Sequence, residues 1–244
     1  MKKILVTGAN GQLGQCLQKI SSQFEEFEFI FTDSETLDIT NKEEVNDFFW
    51  QNAPDFCINA AAYTAVDLAE TDVEKAFLVN ADGAENLAEA CAENNAQFIH
   101  VSTDYVFDGE NNLAYTEEDF TNPLGVYGAS KLAGDELALE VNPCSVILRT
   151  SWVYSEFGKN FVKTMLNLFA TKEELNIVAD QFGQPTNAND LAEAIMKIIK
   201  SEKITPGIFN FSNLGRISWF DFAKKIAELS EAKIKLNAIE TSQY

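Results

Sequence analysis

The stretch Met1-Lys-Lys-Ile-Leu-Val-Thr-Gly-Ala-Asn-Gly-Gln-Leu-Gly14 runs from a short apolar segment through three glycines into a helical pattern. Ile4, Leu5 and Val6 read as a buried parallel strand. Gly8, Gly11 and Gly14 come next, where a backbone without side chains can approach a pyrophosphate. The charge of that group suits the amide N–H groups and dipole at a helix N-terminus. The spacing Gly-x-x-Gly-x-x-Gly departs from the commoner dinucleotide fingerprint Gly-x-Gly-x-x-Gly. Three glycines also suit a turn and close packing, so the reading depends on the rest of the chain.

Working outward, Leu13 to Ile20 continues as a helix, and Phe27 to Phe31 forms a second strand that ends at Thr32-Asp33. Asp33 lies about 20 residues beyond the glycine turn, where an acidic side chain can accept hydrogen bonds from the adenosine ribose; a plain loop aspartate is the alternative. Between Lys19 and Lys42 there is no basic residue, whereas Glu25, Glu26, Glu28, Asp33, Glu35 and Asp38 fall in that interval. A ribose 2′-phosphate would lack a cation there, so NADH is the expected cofactor in preference to NADPH. A helix is expected from about Asn41 to Trp50, capped by Thr40 or Asn41. The third strand, Phe56 to Asn59, delivers the small residues Ala60, Ala61 and Ala62 to the sheet edge where ligands of open parallel sheets bind. A single long helix is expected over Val73 to Ala92, with Asn80 as the polar exception on its apolar face.

The fourth strand, Phe98 to Val101, leads into Ser102-Thr103-Asp104-Tyr105, and after a polar loop (110–123) comes Tyr127-Gly-Ala-Ser-Lys131 at the head of a helix. Tyr127 and Lys131, four apart, face the same way. A tyrosine of ordinary pKa about 10 is poorly matched to proton exchange near neutral pH. Lowering it by three units requires roughly 4 kcal/mol, comparable with one unit charge about 4 Å away in an effective dielectric near 20. Lys131 is therefore expected to tune Tyr127. His100, the only histidine, lies inside its strand and reads as a satisfied core imidazole with no assigned role, and no metal is expected.

The chain has 244 residues, enough for one large or two modest units, and a formal net charge of −20, which opposes nucleic acid and anionic membrane as partners. No apolar run reaches spanning length and no signal-peptide pattern opens the chain, so a cytoplasmic protein is expected. Cys16, Cys57, Cys91 and Cys144 are scattered through apolar segments and read as core thiols.

These motifs resemble the dTDP-4-dehydrorhamnose reductase family of the extended short-chain dehydrogenase/reductases. Beyond the superfamily elements, the resemblance rests on Ala61-Ala-Tyr-Thr-Ala-Val-Asp67, Ser102-Thr-Asp-Tyr-Val-Phe-Asp-Gly109, Arg149-Thr-Ser-Trp-Val-Tyr154, Asn160-Phe161 and Asp180-Gln-Phe-Gly-Gln-Pro-Thr186. It implies that Thr103, Tyr127 and Lys131 form the catalytic set. Gly11, Gln12, Leu13, Asp38, Ile39, Ala62, Tyr63 and Thr64 would touch the cofactor beside Gly8, Gly14, Asp33, Tyr127 and Lys131. Thr64, Val66, Asp67, Thr103, Asp104, Tyr105 and Trp152 would contact a dTDP-4-keto-6-deoxy sugar. The resemblance also implies that Asn80 holds the active-site strand; from the residues alone it equally well bonds neighbouring backbone. Tyr63 stands where many relatives carry histidine, and Leu68 where they carry lysine.

The fold expected is α/β, a doubly wound parallel sheet of five strands with helices on both faces. Residues 1–150 would form the Rossmann-like part, and residues 151–244 mainly a small substrate lobe interleaved with it. The family ordinarily continues past Tyr244 with a proline-containing segment, so a C-terminally truncated chain with normal NADH affinity and weakened sugar binding is expected. A homodimer is left open. Two other readings remain: another nucleotide-sugar 4-keto reductase or epimerase, disfavoured by Trp152 and the 180–186 stretch, and a non-catalytic cofactor-binding regulatory subunit, disfavoured by the complete Thr103, Tyr127 and Lys131 set.

Overall fold

A computed structural model describes residues 1–111 and 113–243; Asn112, inside the expected polar loop, and Tyr244 lie outside the described residues. The first half shows the expected alternation. It contains β1 (Lys2–Thr7), α1 (Gln12–Ser21), β2 (Phe27–Phe31), α2 (Lys42–Asn52), β3 (Phe56–Asn59), α3 (Val66–Ala69), α4 (Val73–Phe77), α5 (Gly83–Glu93), β4 (Gln97–Thr103), α6 (Val126–Val141) and β5 (Val146–Thr150). The second half contains β6 (Val153–Tyr154), α7 (Phe161–Phe169), β7 (Glu174–Val178), β8 (Phe182–Gly183), β9 (Thr186–Asn187), α8 (Ala188–Ile199), β10 (Gly207–Asn210), β11 (Ile217–Ser218), α9 (Trp219–Leu229) and β12 (Lys235–Ile239). Among the described residues no helix is long and apolar enough to cross a membrane.

The central sheet is parallel throughout, in the order β10-β5-β4-β3-β1-β2. Its apolar strands are buried on both sides because helices cover both faces. Leu13, Cys16, Leu17 and Ile20 of α1 pack with Leu191, Ile195 and Met196 of α8 on one face. Val45 and Phe49 of α2, Leu87 and Cys91 of α5 and Ala138 of α6 cover the other. Each fully buried large aliphatic or aromatic side chain contributes roughly 1.5–3 kcal/mol.

Three expectations need correcting. The sheet has a sixth strand where five were expected: β10 pairs with β5, and α8 packs on α1, so residues 188–210 return to the Rossmann-like part. The long helix over 73–92 is interrupted by a π-helical turn at Leu78–Asp82. There Asn80 is drawn into side-chain bonds with the loop after β3, and α6 approaches so closely that a Cβ on Gly134 would strike the Asn80 carbonyl. Cys144 is exposed in the turn between α6 and β5, unlike the three buried cysteines.

The lobe is held by its own small core. Met165 of α7, Ile177 of β7 and Phe222, Ala223 and Ile226 of α9 pack together with Trp152, Phe161 and Trp219 around them. Helix α9 starts with a reciprocal cap: Asp221 N–H donates to Ser218 Oγ at 3.0 Å, and Ser218 N–H donates to Asp221 Oδ2 at 3.0 Å.

Candidate active site

The sheet order turns back between β1 and β3, and a cleft of about 990 Å³ opens at the C-terminal ends of the strands there. That is the large end of the range for small-molecule sites, roughly 300–1,000 Å³, with room for an extended ligand. The glycine turn forms its floor. Gly8 has φ +69°, and a Cβ there would lie 2.6 Å from the Ala60 carbonyl carbon, so only glycine fits between the ends of β1 and β3. Among the described residues no side chain caps α1, and Gly11, Gln12 and Leu13 line the cleft at its N-terminus, a setting that suits a pyrophosphate. Gly14, expected to touch cofactor, does not line the cleft: it is buried against Gly8 and Ala9, where a Cβ would strike their backbone.

Beyond the glycine turn, Asp33 lines the same cleft. Its Oδ2 accepts from Asn10 Nδ2 at 2.5 Å, and its Oδ1 from Thr36 Oγ1 at 3.0 Å and Glu35 N–H at 3.1 Å. These donors, Thr36 foremost, hold its carboxyl below the usual range. Asp38 Oδ1 accepts from the Thr40 N–H and hydroxyl, and Ile39 completes the wall. Lys75 lines the same cleft from α4. This cation arrives from a distant helix, so the acidic run between Lys19 and Lys42 gave no hint of it.

The middle of the cleft is built by two asparagines. Asn59 Oδ1 accepts from Ala61 N–H at 3.1 Å and Thr7 Oγ1 at 2.8 Å. Asn80 Oδ1 accepts from Tyr63 N–H at 2.8 Å, and its Nδ2 donates to the Tyr63 carbonyl at 3.1 Å and to Ser130 Oγ at 3.0 Å. It therefore clamps the loop carrying Ala62, Tyr63 and Thr64 onto α6, rather than holding the active-site strand.

Strand β4 delivers Thr103, and the first turn of α6 delivers Tyr127, hydrogen-bonded to it. Thr103 Oγ1 donates to Asp104 Oδ1 at 3.2 Å and accepts from Tyr105 N–H at 3.2 Å, while the Tyr105 ring meets Tyr127 edge-on at 5.4 Å. Burial pushes the Asp104 carboxyl up to about 6, against the pull of the Thr103 bond. Burial likewise pushes Tyr127 up to about 12, helped by the Asp104 carboxylate and opposed by Thr103. The expected lowering by Lys131 does not operate in this arrangement. Its Nζ donates to the Val101 carbonyl at 2.8 Å and lies 3.0 Å from His100 Nε2, committed to β4 instead of the phenol. His100 is thus the neighbour of a site residue, which its place inside a strand concealed.

Of the residues the resemblance gives to the sugar, Thr64, Val66, Thr103, Asp104, Tyr105 and Trp152 line the cleft, whereas Asp67 on α3 stands beside it and acts through its charge on Tyr105. Trp152 has φ +47°, uncommon for a bulky residue, and stacks on Trp219 with ring centroids 3.4 Å apart. Gly183 lies under the indole so tightly that a Cβ would strike it. The 180–186 stretch thus seats Trp152. Gly158 and Lys159, ahead of α7, also line the cleft, and nothing in the sequence pointed to them beyond the neighbouring Asn160-Phe161.

Comparison with known proteins agrees with this geometry. The chain matches the RmlD substrate binding domain family over residues 1–244. It is 44% identical to a dTDP-4-dehydrorhamnose reductase of Aggregatibacter actinomycetemcomitans, over 100% of this chain and 86% of that protein. The crystal structure of a dTDP-4-dehydrorhamnose reductase from Clostridium acetobutylicum superposes with TM-score 0.95 at 44% identity, covering 99% of this chain and 85% of the other. That of a dTDP-4-dehydrorhamnose reductase from Bacillus anthracis in complex with NADP has TM-score 0.96 at 40% identity, covering 100% and 87%.

Proposed function

We propose that this chain, which belongs to the RmlD substrate binding domain family, is a nicotinamide-dependent reductase that converts the 4-keto group of dTDP-4-dehydro-L-rhamnose to the alcohol of dTDP-L-rhamnose. The observation that carries the reading is one continuous cleft. It joins the uncapped N-terminus of α1 to Thr103, Tyr127 and Lys131 and then to Trp152.

In this reading, Gly8, Gly11, Gln12 and Leu13 receive the pyrophosphate, Asp33 accepts from the adenosine ribose, and the loop of Ala62, Tyr63 and Thr64 lies along the dinucleotide. Bound reduced nicotinamide supplies a hydride to C4 of the sugar. Thr103 turns its hydroxyl from Asp104 to the keto oxygen, and Tyr127 hands its phenolic proton to that oxygen as negative charge develops there. Burial keeps the proton on Tyr127 until then. Lys131, as an ammonium, steadies the phenolate left behind and holds the nicotinamide ribose. Asp104, Tyr105 and Trp152 grip the sugar and keep water from the reacting carbon.

NADH is the preferred cofactor in this proposal, because Asp33, Glu35 and Asp38 surround the ribose position with carboxylates. The NADP of the Bacillus anthracis relative and the presence of Lys75 beside the cleft make NADPH the competitor. Incubation with dTDP-4-dehydro-L-rhamnose and reduced cofactor tests the function, with cofactor oxidation read by absorbance and the product by NMR. Formation of dTDP-L-rhamnose is expected. Turnover of GDP-4-keto sugars alone would transfer the chain to another nucleotide-sugar reductase, and cofactor binding without any turnover would favour a regulatory subunit.

A further inference from the structure

Behind the face of the site that meets substrate, His100 and Lys131 form a buried pair, and the bonds around it fix where the protons are. His100 is fully buried in the middle of β4, with its ring stacked on Phe98. Its Nδ1 lies 3.0 Å from Asn59 Nδ2, and its Nε2 lies 3.0 Å from Lys131 Nζ. The orientation of the Asn59 amide is set by Ala61, whose backbone N–H can only donate and does so to Oδ1 at 3.1 Å. Asn59 Nδ2 is therefore the donor to Nδ1. A neutral imidazole that accepts at Nδ1 carries its proton on Nε2. That N–H faces Lys131.

An ammonium has three donors and no lone pair, so a charged Lys131 in this position would set donor against donor. An amine accepts from His100 and still donates to the Val101 carbonyl at 2.8 Å. A second acceptor stands close by: Asp135 Oδ1 lies 3.8 Å from His100 Nε2, buried and outside hydrogen-bond geometry with any described donor, with the Ser102 hydroxyl of β4 the other donor near this carboxyl, while Oδ2 accepts from Arg149 Nε at 3.1 Å. A buried carboxylate oxygen without a donor is costly unless one can reach it.

We propose that His100 is a positioning residue of the reduction: held by Asn59 with its proton on Nε2, it donates to the amine of Lys131 and keeps that side chain against β4, and it passes this bond to Asp135 when Lys131 takes up a proton. The proposal rests on the reductase reading of Thr103, Tyr127 and Lys131. The step balances simply. One proton from the cleft converts amine to ammonium, and His100 stays neutral throughout. The ammonium retains Val101 as acceptor and has two further N–H groups for the Tyr127 phenolate and a ribose hydroxyl.

The surroundings agree with two accessible states of Lys131. Burial pushes Lys131 down to about 8, with Asp135 pulling the other way, and burial holds His100 well below the ordinary histidine range. Asp135 comes from α6 itself and Arg149 from β5; Asp104 and Tyr105, in the turn after β4, flank Tyr127. Glu70, beside α3, accepts from Val126 N–H at the start of α6, and the π-helical turn presents the non-titrating Asn80.

Because the sequence holds a single histidine, protein labelled with ¹⁵N-histidine and carrying no polyhistidine tag reports His100 alone. A protonated Nε2 and an unprotonated Nδ1 are expected wherever the protein is folded, with the Nε2 resonance inflecting near pH 8 as Lys131 titrates and losing that inflection in Lys131→Met. An Nδ1–H tautomer, or a resonance indifferent to Lys131→Met, overturns the proposal. In kinetics, His100→Leu removes the donor and should move the Lys131-dependent limb of the kcat profile about one pH unit upward with KM little changed. His100→Gln, which places an amide N–H in about the position of Nε2, should restore the limb. An unshifted limb in a folded His100→Leu protein overturns the proposal; if that variant does not fold, the spectra of the parent and Lys131→Met decide. The spectra need no substrate, so they test the pairing even if the parent reduces no keto sugar.

Discussion

Asn160 donates through Nδ2 to Gln12 Oε1 at 2.8 Å, tying the start of α7 to the glycine turn across 148 positions of sequence. Ser155 donates to the same oxygen at 3.2 Å, and Asn160 Oδ1 caps α7 by accepting from Lys163 N–H at 3.1 Å. The lobe loop carrying Gly158 and Lys159 is thereby fastened to the floor of the cleft. Asn160→Ala removes both cap and tie, at a cost of about 1–3 kcal/mol. Calorimetry should show Tm lower by about 3–8 °C, and a cofactor titration should show affinity weakened several-fold. Unchanged values in both would mean that the cleft does not depend on this fastening.

Tyr127→Phe keeps the ring that packs on Tyr105 but removes the proton donor. Its kcat should fall about a hundredfold or more, with cofactor Kd little changed. Near-normal turnover would remove Tyr127 from the chemistry.

Gly183→Ala should act on the sugar alone. The added methyl has no room beneath the Trp152 indole, so Trp152 must leave its stack on Trp219. KM for the dTDP-sugar should rise about tenfold or more, while cofactor affinity, set on the other side of the cleft, stays within about twofold. Equal losses for both ligands would show a general collapse of the lobe.

Asp104 links the site to pH. Its carboxyl titrates at about 6 in the fold against 3.8 ordinarily, so between those values the folded chain binds more protons than the unfolded one. Stability therefore declines as pH rises through that window, and the penalty is complete above about 6. Asp104→Asn retains an acceptor for the Thr103 hydroxyl and cannot ionise. Denaturant melts should show it more stable than the parent by about 1–3 kcal/mol at about pH 7.5, with the difference gone below about pH 4. A pH-independent difference would mean that Asp104 is not strained by its charge.

The cofactor proposal predicts a higher kcat/KM with NADH than with NADPH, and a Lys75→Ala variant whose loss falls mainly on NADPH. A preference for NADPH in the parent overturns the carboxylate argument. An equal loss with both cofactors would remove Lys75 from any phosphate role.

Legibility tracked the range of the physics. The apolar runs at Ile4–Val6 and Phe56–Asn59 are buried on both faces of a parallel sheet, and such runs declare themselves locally. So does the cap of α2, expected at Thr40 or Asn41 and found at Asn41, whose side chain accepts from Glu44 N–H. Gly14 and Asp67 stand outside the cleft lining for a common reason: a motif shows that residues are near a site, and not which side of the backbone faces it. Gly14 turns inward to the Gly8 carbonyl, and Asp67, on the short helix that carries Val66 to the cleft, reaches it through its charge on Tyr105.

By itself, the sequence determined the alternation of strands and helices, the glycine turn and the shared face of Tyr127 and Lys131, because periodicity, glycine and i, i+4 spacing act over one or two turns of chain. Only the tertiary structure decided that β10 returns to the sheet, that Trp152 rests on Gly183, and that Lys131 turns to His100 while Gln12 meets Asn160. These depend on the directions of side chains brought together from distant segments. Buried donors and acceptors must find partners wherever the packed fold supplies them, and no local pattern encodes which partners those will be.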